Sequence, residues 1–135
     1  MGVRRYLDLD AWQLADALKK RVYALVDATS AKRDFDFANQ IRDSASSAPS
    51  NISEGFAFYR HPEFAQRVRV ACAEEHETHN HLGDGVDRGH WTGEQAAPLQ
   101  QLAERAMKAA TGLLRHLSTT DAPSEWKPPR RKRRG

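Results

Sequence analysis

The side chains best suited to chemistry are concentrated in one octapeptide, Glu74-Glu75-His76-Glu77-Thr78-His79-Asn80-His81. On a helix, Glu77, His81 and Asp84 would share one face, because they are four and three residues apart, and their side chains are of the types that bind metals. A di-iron bundle needs in addition a Glu-x-x-His motif on two helices and a glutamate from each of the others. The other helical segments offer only isolated candidates without that spacing: Asp16, Glu54, Glu104 and His116. We therefore predict no metal and no other cofactor.

Glu77 is more simply interpreted as a structural residue. A carboxylate near a core must be paired, because removing one partner of a buried ion pair costs about 3–5 kcal/mol. Arg42, Asn51 and His81 are suitable partners for it. A buried polar cluster of this kind can fix the register of neighbouring helices. The predicted structural polar core comprises Arg42, Asn51, Glu54, Glu77 and His81.

Nucleophilic catalysis has little support in the sequence. Ser46, Ser47 and Ser50 lie close together, but no histidine is assigned beside them and no oxyanion hole is evident. The chain also lacks a glycine-rich phosphate loop. Cys72 is the single cysteine, which excludes an internal disulfide and a cysteine-based zinc site, and its alanine neighbours indicate a small core or interface residue. We predict that the protein is not an enzyme.

The charge of the chain is unevenly distributed. Residues 1–126 contain all 18 acidic residues but only 15 Lys and Arg, a net charge of −3. A charge of +6 follows from Lys127, Arg130, Arg131, Lys132, Arg133 and Arg134, with Trp126 directly before them. Such a run can neutralise phosphates while the indole stacks on a base. The alternatives are a solvated tail that aids solubility, and a basic patch elsewhere, around Arg60, Arg67 and Arg69.

Four segments have helical periodicity, and none alternates like a strand. They cover about residues 8–28, 34–59, 62–88 and 92–118. Pro49 interrupts the apolar stripe of the second segment without changing its phase, which favours a kinked helix over two separate helices. The fourth segment begins with a capping box, in which Thr92 and Gln95 have the required types and spacing.

The third segment carries an apolar stripe with polar members in its middle. The residues that share this face are Phe64, Val68, Ala71, Glu75, Thr78, Leu82 and Val86. Four amphipathic helices with short loops can bury such stripes only against one another. We therefore predict an all-α, up-down-up-down four-helix bundle over residues 1–120. Residues 121–135, rich in proline and basic side chains, are predicted to be disordered.

Composition limits the location of the protein. The chain is 39% hydrophobic, with a mean hydropathy of −0.76, and no stretch is apolar enough to span a bilayer. No signal peptide is visible near the N-terminus, and cysteine usage fits a reducing compartment. We expect a cytoplasmic protein with no membrane partner.

Several motifs on the second and third segments resemble a known family signature. They are Gln40-Ile41-Arg42, Ser47-Ala48-Pro49-Ser50-Asn51-Ile52-Ser53-Glu54-Gly55-Phe56 and Glu63-Phe64. This pattern resembles that of the bacterial four helix bundle protein family, whose members are often encoded within insertions in large-subunit rRNA genes. The first segment, with Asp8-Leu9 and Trp12-Gln13, is similar to the family's first helix. Glu77-Thr78, Asn80-His81-Leu82, Asp84 and Arg88-Gly89 resemble one of its branches. The resemblance covers about residues 5–118.

The resemblance implies a homopentamer. It also implies kinship with the accessory proteins of diversity-generating retroelements, which bind nucleic acid and a reverse transcriptase. The small residues of Ser44-Ala45-Ser46-Ser47-Ala48 permit close helix approach, either inside one bundle or at a subunit interface. We therefore predict a non-enzymatic oligomer that binds RNA or single-stranded DNA through its basic tail. The alternatives are an interaction scaffold, such as an accessory subunit of a reverse transcriptase, and a protein whose polar core is purely structural.

Overall fold

The computed structural model describes residues 5–58 and 60–119. This part of the chain is all-α and contains no strand. Its four helices are α1 (Asp10–Asp27), α2 (Phe35–Phe58), α3 (His61–Asp87) and α4 (Gly93–Thr119), and short 3-10 segments at Tyr6–Asp8 and Ser30–Arg33 precede α1 and α2. The four predicted helices are confirmed, with bounds that differ by one or two residues. The predicted disordered tail, residues 121–135, lies outside the described residues.

Each helix packs against two others: α1 and α3 each contact both α2 and α4. The apolar stripes meet in two adjoining clusters. One contains Leu18, Val22, Phe37, Ile41 and Trp91, and the other contains Ala15, Ile52, Phe64, Val68 and Leu117. Burial of each large apolar side chain contributes about 1.5–3 kcal/mol, so this shared core supplies most of the stabilisation. No helix in the described residues is long and apolar enough to cross a membrane.

Helix α2 continues through Pro49, so the alternative of two separate helices is wrong. Proline cannot donate a backbone hydrogen bond, which weakens the helix locally. The carbonyl that loses its usual donor is that of Ala45, four residues before Pro49. Asn51 adds side-chain hydrogen bonds in the same part of α2, because its amide donates to the carbonyl of Ser47 at 2.8 Å and to the Ser47 hydroxyl at 2.9 Å. Pro49 is itself buried, and burial of its apolar ring stabilises this part of α2.

The start of α4 is the capping box that its sequence predicts. The backbone N–H of Thr92 donates to the side-chain Oε1 of Gln95 at 2.8 Å, and the backbone N–H of Gln95 donates to Oγ1 of Thr92 at 3.1 Å. The preceding turn contains Gly89 at φ +79°, a left-handed conformation that glycine adopts without strain. Residues 88–92 therefore end α3 and begin α4 within a few residues.

Candidate functional site

The described part of the chain has three buried polar residues, Ser44, Glu75 and Thr78. The α3 stripe predicted that Glu75 and Thr78 face the core, and their full burial confirms it. The hydroxyl oxygens of Ser44 and Thr78 lie 2.8 Å apart, and Thr78 also donates to the carbonyl of Glu74 at 2.9 Å. Ser44 in turn lies 3.1 Å from the carbonyl of Ile41, so each hydroxyl has a backbone carbonyl that it can donate to, and either can be the donor in the bond between the two side chains.

Glu75 is the unusual member of this layer. Both of its carboxyl oxygens are buried, and neither has a hydrogen-bond partner in the described residues. Burial raises the pKa of Glu75 to about 8. A carboxyl group in this environment avoids the cost of an unpaired buried charge by remaining protonated at neutral pH. Burial, and then the nearby Glu75, also raise the pKa of the Cys72 thiol, which makes Cys72 a poor nucleophile.

The predicted burial of Glu77 is wrong. Its side chain is 54% exposed, and His81 Nε2 lies 3.5 Å from its Oε1. The helix explains the error, because residues two positions apart point to nearly opposite faces, so only one of Glu75 and Glu77 can enter the core. Glu77 instead lies beside Glu74, whose pKa is raised first by burial and then by Glu77 and Asp43.

The five predicted polar-core residues do not form one cluster. Arg42 donates to Oδ1 of Asp27 on α1 at 2.9 Å, and Glu77 lies beside His81 on α3. Asn51 and Glu54 meet at a third place, where both contact Arg67. The predicted set is therefore distributed over three separate contacts.

The α2 signature acts as a clamp between α2 and α3. Arg67 donates to Oδ1 of Asn51 at 3.2 Å and lies 3.3 Å from Oε2 of Glu54. A Cβ at Gly55 would lie 2.7 Å from Cβ of Arg67 and 2.9 Å from Cδ1 of Phe64. Only glycine permits this helix approach without a shift. The α2 signature therefore has a structural function, which is to hold α2 close to α3.

A hydrogen-bonded chain that the sequence did not suggest closes one end of the molecule. His90 Nδ1 lies 2.8 Å from Oγ of Ser30, and His90 Nε2 lies 2.8 Å from Oδ2 of Asp34. Arg88 donates to the same Asp34 oxygen at 3.0 Å. The hydrogen bond from His90, followed by that from Arg88, holds the pKa of Asp34 below its ordinary range. The chain joins the segment before α2 to the α3–α4 turn.

Ser30, His90 and Asp34 are the residue types of a Ser-His-Asp triad, but the charges around them favour a structural role. A triad aspartate stabilises the imidazolium that forms during catalysis. Here the guanidinium of Arg88 already shares the Asp34 carboxylate, which weakens that stabilisation. Ser30 and Asp34 are about 60 residues from His90 in sequence, so spacing carried no signal of the contact.

The remaining predicted site residues cannot be placed. The proposed nucleic-acid contacts, Trp126, Lys127, Arg130, Arg131, Lys132, Arg133 and Arg134, lie outside the described residues. Within the described ranges, no group of three or more His, Cys, Asp or Glu side chains is arranged to hold a metal ion.

The comparison with known families gives a match over most of the fold. The model of the 23S rRNA-intervening sequence protein family matches residues 7–112. The chain belongs to this family. The match includes the α2 signature and the Asn51–Arg67 clamp, and it agrees with the resemblance inferred from the motifs. No curated protein sequence matches the chain.

Proposed function

We propose that this intervening sequence protein is a non-enzymatic, oligomeric, cytoplasmic protein that binds RNA through phosphate contacts from its C-terminal stretch. The segregation of charge carries the proposal. Residues 1–126 have a net charge of −3 and would repel a polyanion at long range, whereas the six cations after Trp126 would attract it. Membership of the 23S rRNA-intervening sequence protein family adds support, since the name of the family refers to 23S rRNA.

The proposed architecture is an up-down-up-down bundle with α2 kinked at Pro49, assembled as a homopentamer. Short connections between successive helices, and packing of each helix against two others, support the up-down order. The number five follows only from the family resemblance. In such an assembly five basic tails would act together, so individually weak phosphate contacts would gain from a high effective concentration.

The function is tested by changing the tail charge in the complete chain. Serine replaces Lys127, Arg130, Arg131, Lys132, Arg133 and Arg134 in one variant. In a matched control, each of these lysines becomes arginine and each arginine becomes lysine. The first variant should lose most of its affinity for a single-stranded RNA, and the control should keep it, because phosphate neutralisation depends on charge. Equal RNA binding by the serine variant and the wild type would contradict the proposal.

The oligomer is tested separately. A chain that ends at Asp121 should assemble like the complete protein, because the proposed interface lies on the helices. Light scattering of both chains at micromolar concentration measures the mass, and a monomer would refute the pentamer. If neither chain binds RNA but both assemble, an interaction scaffold, for example for a reverse transcriptase, becomes the better interpretation.

A further inference from the structure

The turn between α2 and α3 contains an open pocket of about 350 Å³. Phe58 at the end of α2 lines it, together with Pro62, Glu63, Gln66 and Arg67 in the first turns of α3. Its volume lies within the range of small-molecule sites, about 300–1,000 Å³. Phe58 is 40% exposed, so part of its ring is open to solvent. The pocket therefore offers an aromatic surface to a flat ligand.

Arg67 forms a cationic wall of this pocket. Its guanidinium carbon lies 5.8 Å from the centroid of the Phe58 ring. The contacts with Asn51 and Glu54 hold the same guanidinium from the side of α2. Because its position is fixed before any ligand arrives, little side-chain entropy is lost on binding. Guanidinium planes and aromatic rings are the two groups on which proteins stack unpaired bases.

Positive charge also flanks the pocket. Arg60 is exposed at the N-cap position of α3, and no carboxylate of a described residue lies within ion-pair distance of it. The positive end of the α3 dipole lies at the same place and favours an anion there. Arg69 donates to Oε1 of Gln66 at 3.4 Å, and this hydrogen bond orients the Gln66 amide. An amide can both donate to and accept from a base edge.

We infer that this pocket binds one unpaired nucleobase of a single-stranded RNA. Phe58 and Arg67 contact the base, and Arg60 contacts the adjoining phosphate. The inference rests on the proposed function and adds to it a contact on the helical body, separate from the tail. A flat aromatic ligand attached to a phosphate matches both the exposed Phe58 ring and the exposed Arg60 cation. An apolar protein surface would match only the ring.

The test compares two fluorescent RNA probes of about 12 nucleotides, a length within the usual range of single-strand sites. One probe has a mixed base sequence, and the other is abasic, with the same number of phosphates. Fluorescence anisotropy measures their affinity for the complete wild-type chain and for Phe58→Ala, Phe58→Trp and Phe35→Ala. Phe35 is the matched control, because it is 75% exposed and lies at the other end of α2.

Phe58→Ala should bind the mixed-sequence probe about 5- to 150-fold more weakly than the wild type, the usual loss for one stacking residue. Phe58→Trp and Phe35→Ala should bind it as the wild type does. All four proteins should bind the abasic probe equally. A Phe58→Ala affinity equal to that of the wild type, or an equal loss on both probes, would overturn the inference while leaving the proposed function intact.

Two further outcomes separate the remaining possibilities. If the wild type binds neither probe, the proposed function fails and the inference fails with it. If Phe58→Ala lowers the mass measured by light scattering, the pocket belongs to a contact between copies of the chain, and the inference is overturned. An unchanged mass together with weakened binding of the mixed-sequence probe alone supports the base pocket.

Discussion

The indole of Trp91 lies directly against the backbone of Gly85, so that a Cβ at position 85 would overlap its ring. Trp91 Nε1 donates to the carbonyl of Leu82 at 2.8 Å, and its ring centroid lies 5.6 Å from that of Phe37. A single side chain from the α3–α4 turn is thus anchored both on α3 and in the core. The absence of a side chain at position 85 is what permits this close contact.

Gly85→Ala should therefore destabilise the protein. Overpacking of a well-packed core typically costs about 1–3 kcal/mol, because the indole would have to shift and its hydrogen bond to Leu82 would lengthen. Gly112→Ala is the matched control, since a Cβ there meets nothing within 4 Å. The control should gain about 0.5–1 kcal/mol, the usual advantage of alanine over glycine inside a helix. Urea unfolding of both variants measures the difference, and equal effects would contradict the packing argument.

The buried Glu75 predicts an unusual dependence of stability on pH. Its pKa is about 8 in the folded protein, against an ordinary value of 4.5. The folded state therefore binds the proton more tightly than the unfolded state, and the stabilisation is complete below pH 4.5 and decreases as pH rises towards 8. Within this window the free energy of unfolding should fall by about 1.4 kcal/mol per pH unit. Urea unfolding at several pH values measures this slope.

Two glutamine substitutions isolate the Glu75 contribution. Glu75→Gln cannot ionise, so its unfolding free energy should lack this decrease and exceed that of the wild type near pH 8. Glu77→Gln should keep the wild-type slope, because Glu77 is 54% exposed. If Glu75→Gln and the wild type lose stability in parallel between pH 5 and 8, Glu75 is not the group responsible.

The error over Glu77 shows where sequence reasoning reached its limit. The periodicity of α3 already placed Glu75 and Thr78 on the buried face, and the structure confirms both. Glu77 was nevertheless predicted to be buried because it has suitable partners for a carboxylate nearby, although the same periodicity places it on the exposed face of α3. Local rules such as the stripe and the capping box of Thr92 were thus sufficient for the helices, their bounds and most of the core.

Contacts between distant parts of the chain could not be obtained in this way. His90 reaches Ser30 and Asp34 only because the helices bring two loops to the same end of the molecule. Trp91 and Gly85 are close in sequence, yet their contact depends on how the α3–α4 turn folds back onto α3. The sequence shows which residues are able to form such contacts, but the three-dimensional arrangement of the helices decides which of these residues meet.

The hydrogen bonds of Asp34 with His90 and Arg88 predict a pH dependence of stability that is opposite in sign to that of Glu75. Hydrogen bonds from His90 and Arg88 lower the pKa of Asp34 in the folded protein, so its contribution is present above the ordinary value of 3.8 and is lost as pH falls through the lowered pKa. Asp34→Asn should therefore lower the melting temperature at neutral pH, and the difference from the wild type should shrink towards pH 3. Asp36→Asn, at an exposed position in the first turn of α2, serves as the control and should leave the melting temperature nearly unchanged.

RNA binding through the tail should depend strongly on the salt concentration. If RNA binding is driven by the tail cations, the logarithm of the affinity should fall linearly with the logarithm of the salt concentration, with a slope of about −0.7 per neutralised single-strand phosphate.

Trp126→Ala should weaken binding by about 1–3 kcal/mol if the indole stacks on a base, without changing this slope, because stacking neutralises no phosphate. Anisotropy titrations of wild type and variant across a salt series measure both quantities. A Trp126→Ala affinity equal to that of the wild type would restrict the role of residue 126 to the linker, and a slope near zero in both proteins would exclude phosphate contacts as the source of binding.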